Sequence, residues 1–576
     1  MKFRWSLAPA ESLPAGRLAA SLGISPLLAQ CLLNRGLTDP ELITSYLEPR
    51  LKNLADPFLI PNLGAAVDRL CLARDRGEAL VIFGDYDVDG VTSTVFLLES
   101  LRKLGWQVDY YLPHRLEEGY GLSRDAVENC LRKFPVSLLL AVDCGSTSAP
   151  VVDWLQTQGV ETIILDHHQI GEPAPAAVAL VNPLCAGPGA AFTELCSVGL
   201  AFKLVHALIK RGREIGWPVA LAFDLRQQLD LVALGTVADL VPLTGENRIL
   251  VTMGLARLGC SNRPGLLALS QVAQIKPPVG VYEVGFQLAP RLNAAGRLEN
   301  AAAALEVLMA DSIATALPIA QGLDARNQER QQIEKAIVEE VTAAVKAKFD
   351  PARDFVIVEG QMEWHVGVVG IVAARVLQQF YRPTLILGGD GDLWRGSGRS
   401  IAGFHLAAAL RQCEDLLLRH GGHAMAAGLT VPAANLSTLR DRLNELARAA
   451  LDPSALLPRL RLDAEVTLGE LTLGRLEELD RIQPTGQGNP ALQFLVRNVT
   501  QARPPQRLGT AKQHVKLWIT DGQITHEGVW WRAGNESVLP VGQFDLGFSP
   551  QINEFKGRRT VQLKVLDWRP AEAPLP

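Results

Sequence analysis

Residues 81–93, Val-Ile-Phe-Gly-Asp-Tyr-Asp-Val-Asp-Gly-Val-Thr-Ser, constrain this chain more than any other stretch. Val81, Ile82 and Phe83 read as a short buried strand that Gly84 ends. Asp85, Asp87 and Asp89 then alternate. In extended chain alternate side chains share a face, so the three carboxylates converge. Gly90 allows a tight turn, and Thr92 and Ser93 suit the cap of a helix starting there. Three like charges this close repel strongly unless a cation neutralises them or some are protonated. Oxygen ligands of this kind suit a hard divalent ion such as Mg2+ or Mn2+. An acidic turn is the plainer reading. A calcium loop of the D-x-D-x-D-G kind is another, but the run follows a strand, and Phe96 stands where the last ligand, a Glu, would be needed.

The flanking chain says what such a turn sits on. From about 64 to 260 the pattern alternates strand and helix: Ala79–Phe83, Val108–Leu112, Ser137–Val142 and Thr162–Leu165 read as strands. Ser137–Val142 is apolar almost throughout, as in a parallel sheet covered on both faces. Ligands bind such sheets beyond the carboxyl ends of the strands. There stand Asp143, in Val-Asp-Cys-Gly-Ser, and Asp166-His167-His168. A lone His is usually a satisfied structural residue. Two in a row behind an Asp, at the end of a strand parallel to the first, suggest one imidazole on a metal and the other beside a phosphate. The apolar run Leu231–Val237 delivers Asp239 at a fourth strand end or turn. Asp85, Asp87, Asp89, Asp143, His167, His168 and Asp239 have the ligand capacity for two cations. Such a pair activates a water and stabilises developing phosphoryl charge.

The remaining chain divides by pattern. Residues 1–60 read as a helical preface of no legible function, with helix starts at Ser25-Pro26 and Thr38-Asp39-Pro40-Glu41. Residues 61–310 form the first α/β lobe, and 311–350 a long polar helix with a sparse apolar stripe, a spacer between compact regions. In the second α/β lobe, 351–450, Gly367 and Gly370 let the backbone come close at a helix start, a ready anion site. Gly396-Ser397-Gly398-Arg399-Ser400 offers N–H groups, hydroxyls and a guanidinium together, which suits a terminal phosphate. Arg115 and Arg297 are candidates for further bidentate contacts. Singly, each Arg reads as a surface ion pair and each Gly run as a tight turn. Residues 455–570 change to short alternating runs, the pattern of a small closed or partly closed β barrel. Lys and Arg slightly outnumber Asp and Glu there, and Trp518, Trp530, Trp531 and Arg532 supply aromatic and cationic faces, about half of them expected in the core and the rest suited to stack unpaired bases.

Composition excludes little. The net charge of −5 over 576 residues gives no hint of nucleic acid, and carboxylates in an active site would pull it that way. No segment approaches about 18 uninterrupted apolar residues, so no membrane span is expected. The N-terminus does not read as a signal peptide. The final Pro-Ala-Glu-Ala-Pro-Leu-Pro reads as a frayed tail. Eight scattered cysteines without a C-x-x-C pair suggest reduced thiols in a cytoplasm rather than a thiolate zinc site.

GDYDVDGVTS, VDCG, LDHH and GTVADLVPL resemble the four motifs of the DHH phosphoesterase superfamily. APRLNAAGR (289–297), Trp364-His365 before GVVGIVAAR, GSGRS (396–400) and Gly421-Gly422-His423 narrow the likeness to the RecJ exonuclease family, over roughly residues 20–570. That resemblance implies two α/β catalytic lobes, of DHH and DHHA1 type, joined by a long helix, with a C-terminal OB-type barrel. It implies a metal-dependent 5′→3′ exonuclease that releases mononucleotides from single-stranded DNA. Metal ligands would be Asp85, Asp87, Asp89, Asp143, His167 and Asp239, holding two Mn2+ or Mg2+ ions. His168 would stabilise or protonate the reacting phosphate. Ser397 and Arg399, with Ser400, Arg115 and Arg297, would hold the 5′ phosphate, and Gly421, Gly422 and His423 a substrate loop. It also implies repair and recombination work beside a single-strand-binding protein and a helicase. The alternatives are a DHH-type phosphodiesterase acting on oligonucleotides or cyclic dinucleotides, and a non-catalytic relative that binds single-stranded DNA.

Overall fold

The computed structural model describes residues 3–571 apart from 115–117, 120, 299–300, 390 and 535–537. It forms two compact units. One comprises residues 45–330 with 483–490; the other comprises the residues up to 44 with 331–482 and those from 491 onward.

The first unit is built on a five-stranded, all-parallel sheet in the order Val108–Tyr111, Leu80–Phe83, Leu138–Val142, Glu161–Leu165, Ala179–Val181. Leu80–Phe83 and Leu138–Val142 are buried at every position. Because side chains alternate, Ile82 and Leu140 enter one core while Val81 and Leu139 enter another. Helices Leu63–Arg76, Val88–Lys103, Ser197–Glu214 and Leu229–Ala238 contribute to the first core, Arg124–Lys133 and Ala149–Thr157 to the second. The chain leaves Leu80–Phe83 toward one edge and returns at Leu138–Val142 on the other side. That reversal of strand order is where open α/β sheets bind ligands.

Two expectations change here. The run before Asp239 is the helix Leu229–Ala238, with Asp239 as its C-cap, not a strand. Residues 229–237 are all buried, and a short apolar run surrounded by core carries no helical period to read. The N-terminal segment is not helical throughout. Arg4–Leu7 is a strand that pairs in parallel with Arg459–Leu462.

The helix Ile313–Lys348 continues from the first unit into the second. Its stripe is shared: Leu323 belongs to the first unit's core, and Ile337, Val341 and Val345 to one in the second. In the second unit, strands Arg419–Gly422, Ala426–Pro432, Leu393–Arg399, Thr384–Gly389 and Ile357–Met362 make a mixed sheet in that order. Farther on, Phe494–Gln501, Phe544–Phe555, Arg558–Pro570, Thr525–Trp530 and His514–Thr520 close into a ring through the pairing of Thr500 with Thr520. No single helix among the described residues is long and apolar enough to cross a membrane.

Candidate active site

Asp87 starts the Val88–Lys103 helix, accepting the N–H groups of Asp89 (2.9 Å) and Gly90 (3.1 Å). A Cβ on Gly90 would lie 2.6 Å from the Asp85 carbonyl oxygen, so the chain folds back there only with glycine. Asp89 is buried. Its carboxylate accepts the N–H groups of Ser197 (2.7 Å) and Val198 (2.9 Å), at the positive end of the Ser197–Glu214 helix. Asp143, directly after its strand, holds the left-handed conformation (φ +64°) and accepts the Ser197 hydroxyl at 2.9 Å. A non-glycine residue in that region is strained, and such strain concentrates at functional sites.

These elements bring together the seven side chains that the sequence scatters over more than 150 positions. Ligand atoms of Asp85, Asp87 and Asp143 lie within 4.8 Å of one another, as do those of Asp89, His167 and Asp239. Asp143, His167 and His168 make a third such group, so the sets adjoin. His167 Nε2 is 3.6 Å from both Asp143 Oδ1 and Asp239 Oδ2. His167 Nε2 and Asp239 Oδ2 are buried without a hydrogen-bond partner. Orphaned buried atoms of this kind are costly and need an explanation. A divalent cation between them would satisfy both, and the carboxylate and imidazole donors fit one.

The charges point the same way. Burial, then the neighbouring Asp87, pushes the Asp89 carboxyl up to about 6. Burial and the surrounding aspartates raise Asp143 well above the ordinary carboxylate range, and Asp239 up to about 9. Burial and the charge on His168 push His167 down to about 4, so it stands neutral as a metal ligand must. His168 goes the other way. Burial alone would lower it, but its Nδ1 lies 2.7 Å from Asp166 Oδ1, and that carboxylate raises it to about 9. Asp166 also accepts N–H groups of His167 (2.8 Å) and Ser146 (3.0 Å); against its burial, the contact with His168 and then Ser146 hold it ionised.

The second unit carries a different site. The helix Val369–Phe380 begins without a side-chain cap, which leaves its first N–H groups for an anion. A Cβ on Gly370 would lie 3.0 Å from Ser397 Oγ and 3.3 Å from Arg399 Nη2. Arg399 donates to Ser397 Oγ (3.0 Å) and to the Gly398 carbonyl (2.8 Å), and burial without a facing carboxylate lowers its pKa. Gly421 pairs with Gly428, and Gly428 with Ser397, which puts the glycine strand two strands from the cradle. Gly422 (φ +132°) turns the hairpin, and the exposed His423 donates its N–H to the Ala426 carbonyl at 2.7 Å. Ser400 does not join the cradle. It is buried, and its hydroxyl is committed to the Phe404 carbonyl at 2.7 Å. Arg297 stands in the first unit, on the helix Ala289–Leu298. Arg115 lies outside the described residues.

Three stretches match known families: residues 79–236 the DHH family, N-terminal domain; 353–449 the DHHA1 domain; 462–567 the RecJ OB domain. The single-stranded-DNA-specific exonuclease RecJ of Bacillus subtilis is 36% identical over 571 residues, covering 98% of this chain and 71% of its own. The chain belongs to the RecJ family. RecJ of Thermus thermophilus, solved with Mn2+, superposes with a TM-score of 0.84 at 30% identity, covering 99% of this chain and 80% of that one. The same RecJ with Mg2+ gives 0.79 at 29% identity, with 99% and 79% covered. The ring of strands in this RecJ-family chain is thus an OB barrel, and its two sheets are the DHH and DHHA1 folds.

Asp166 was singled out with the two histidines but given no role of its own, and Ser197 was not expected to matter. Asp166 orients the His168 ring and accepts the N–H of His167. Ser197 reaches Asp89 with its N–H and Asp143 with its hydroxyl. Nothing in its local sequence marks it, because its role comes from a helix start that tertiary packing brings to the strand ends.

Proposed function

We propose that this chain is a metal-dependent exonuclease that digests single-stranded DNA from the 5′ end into 5′-mononucleotides. The carrying observation is the adjoining pair of ligand groups with His167 Nε2 and Asp239 Oδ2 buried and unsatisfied. Asp85, Asp87 and Asp143 would hold one divalent cation, and Asp89, His167 and Asp239 another, with Mn2+ and Mg2+ both suited; such ions would supply a more acidic water and offset charge on the phosphoryl group.

The chain's own residues do the rest. The water oxygen bonds to phosphorus, the bond from phosphorus to the 3′ oxygen of the terminal nucleotide breaks, and that oxygen takes a proton. His168, kept protonated by Asp166, stabilises the reacting phosphate and is the proton donor. Ser397, Arg399 and the N–H groups before Gly370 grip the terminal 5′ phosphate, and Arg297 and Arg115 are further candidates for phosphate contacts. Hydrolysis leaves a new 5′ phosphate on the shortened strand, so each cut regenerates the group that the cradle holds. The OB barrel supplies stacking faces for unpaired bases. The setting is the cytoplasm, beside a single-strand-binding protein and a helicase. The eight free cysteines support the compartment, and family membership supports the partners.

Two oligonucleotides, one labelled at each end, test this in Mn2+, Mg2+ and EDTA beside a matching duplex. The expected result is immediate release of the 5′ label as a mononucleotide, steady shortening of the 3′-labelled strand, and a spared duplex. Cleavage of a small phosphodiester with no DNA digestion would overturn the reading.

A further inference from the structure

An exposed aromatic pair stands beside the catalytic cluster with no role in the scheme above. Residues 281–298 form a helix that widens into a π-turn at Val284–Leu288, a feature frequent at functional sites. There a Cβ on Gly285 would lie 3.9 Å from Val237, two residues before Asp239. Farther along, a Cβ on Gly296 would lie 3.0 Å from the carbonyl oxygen of Tyr86, between Asp85 and Asp87. The stretch from Gly285 to Gly296 covers about 16 Å of helix axis. This helix therefore borders the cluster from the Asp239 end to the aspartate loop.

At the Asp239 end Tyr282 and Phe286 are 62% and 67% exposed. Their rings stack on each other, centroids 5.1 Å and planes 29° apart. Leu240, next to Asp239, is 74% exposed and strained at φ +61°. Single exposed apolar residues are common, but a pre-stacked pair at the rim of a phosphodiester site is a patch with a purpose. Its fitting occupant is an unpaired base, whose flat face is itself apolar and accepts an aromatic ring whatever the sequence.

We infer that Phe286, with Tyr282 stacked against it, is the platform for a base flanking the scissile phosphate. The inference rests on the proposed exonuclease reading and extends it to how unpaired strands are selected. Inside a duplex both faces of a base are already stacked, so it has none to offer this platform.

The test compares wild type with Phe286→Leu, Phe286→Trp and Tyr282→Ala on two 5′-phosphorylated single strands, one normal and one abasic at its first three positions. On the normal strand Phe286→Leu should lower kcat/KM about 10-fold, mainly through KM, and Phe286→Trp should restore it. Tyr282→Ala should have the smaller effect. On the abasic strand wild type and Phe286→Leu should converge. Equal rates on the normal strand, or an equal deficit on both strands, would overturn the inference, the latter marking a merely structural role. A strand carrying 2-aminopurine near its 5′ end, bound in EDTA, should be quenched by wild type and less by Phe286→Leu. If wild type digests no DNA, the exonuclease reading fails, and this binding signal still decides the platform; equal quenching overturns it.

Discussion

The acidic cluster of the first unit and the Ser397–Arg399 cradle of the second are electrostatic opposites. In the first, carboxylates crowd together beyond what their surroundings neutralise, and their pKa values rise. In the second, a half-buried guanidinium donates to a hydroxyl and a carbonyl, and burial lowers its pKa. One lacks cations and the other an anion. Each shift marks charge that the fold alone does not satisfy. A divalent cation answers the first and a phosphate group the second, which is the chemistry that the proposed reaction brings to each.

Breaking the acidic side should have the largest effect. Asp87→Ala is expected to cut hydrolysis in Mn2+ by at least about 10²–10³-fold while leaving DNA affinity largely intact. Gel-shift and nuclease assays on the same preparation check this, and undiminished turnover would remove Asp87 from the metal site.

The cationic side should break differently. Arg399→Gln is expected to lower kcat/KM for 5′-phosphorylated strands about 10- to 100-fold, through loss of charged hydrogen bonds. Strands ending in a 5′ hydroxyl should lose much less, so the preference for a phosphate collapses. An equal loss on both ends would mean that the cradle binds something else.

Stability should separate the sites further. Asp239 keeps its proton up to about 9 when folded, whereas an unfolded aspartate ionises near 4. Over that interval the folded, metal-free protein binds more protons, so its stability should fall as pH rises. Mn2+ should reverse the trend, adding about 2.7 kcal/mol at a hundredfold excess over Kd. Asp143→Asn should raise the metal-free melting temperature yet blunt the response to metal. Calorimetry from pH 5 to 9, with and without Mn2+, reads both signs.

The smallest effect sharpens the split between the two histidines. In the metal-free protein an NMR titration should find His168 near 9. Asp166→Asn should bring it back toward the ordinary value of about 6.5. Its raised pKa means that this pair stabilises the fold fully below about 6.5 and loses that contribution as pH passes 9. A His168 that stays high without Asp166 would break the assignment.

Local sequence carried much of this. Asp85, Asp143, His167 and His168 stood out because each lies within three residues of the end of an apolar strand, and Asp87 and Asp89 because they continue the alternation that Asp85 begins. Asp239 stood out as a candidate ligand but not as a helix cap, because nine buried residues in a row hide the helical period. Ser400 sat in the right motif and the wrong direction. Ser397 and Arg399 lie two apart on the strand Leu393–Arg399 and share a side, whereas Ser400 follows the strand's end and turns its hydroxyl to the Phe404 carbonyl.

What the sequence determined by itself, then, is the chemistry on offer: hard ligands at strand ends, a glycine turn that only Gly90 permits, and a glycine-rich strand bearing Ser397 and Arg399. The tertiary structure decided what those groups face. It brought the start of the Ser197–Glu214 helix onto Asp89 and Asp143, sorted the ligands into adjoining sets, and made His167 neutral and His168 charged. It also left Phe286 and Tyr282 uncovered on the helix that packs against Val237. Those outcomes depend on distance and burial between segments far apart in the chain, and Coulomb energies and desolvation depend on both.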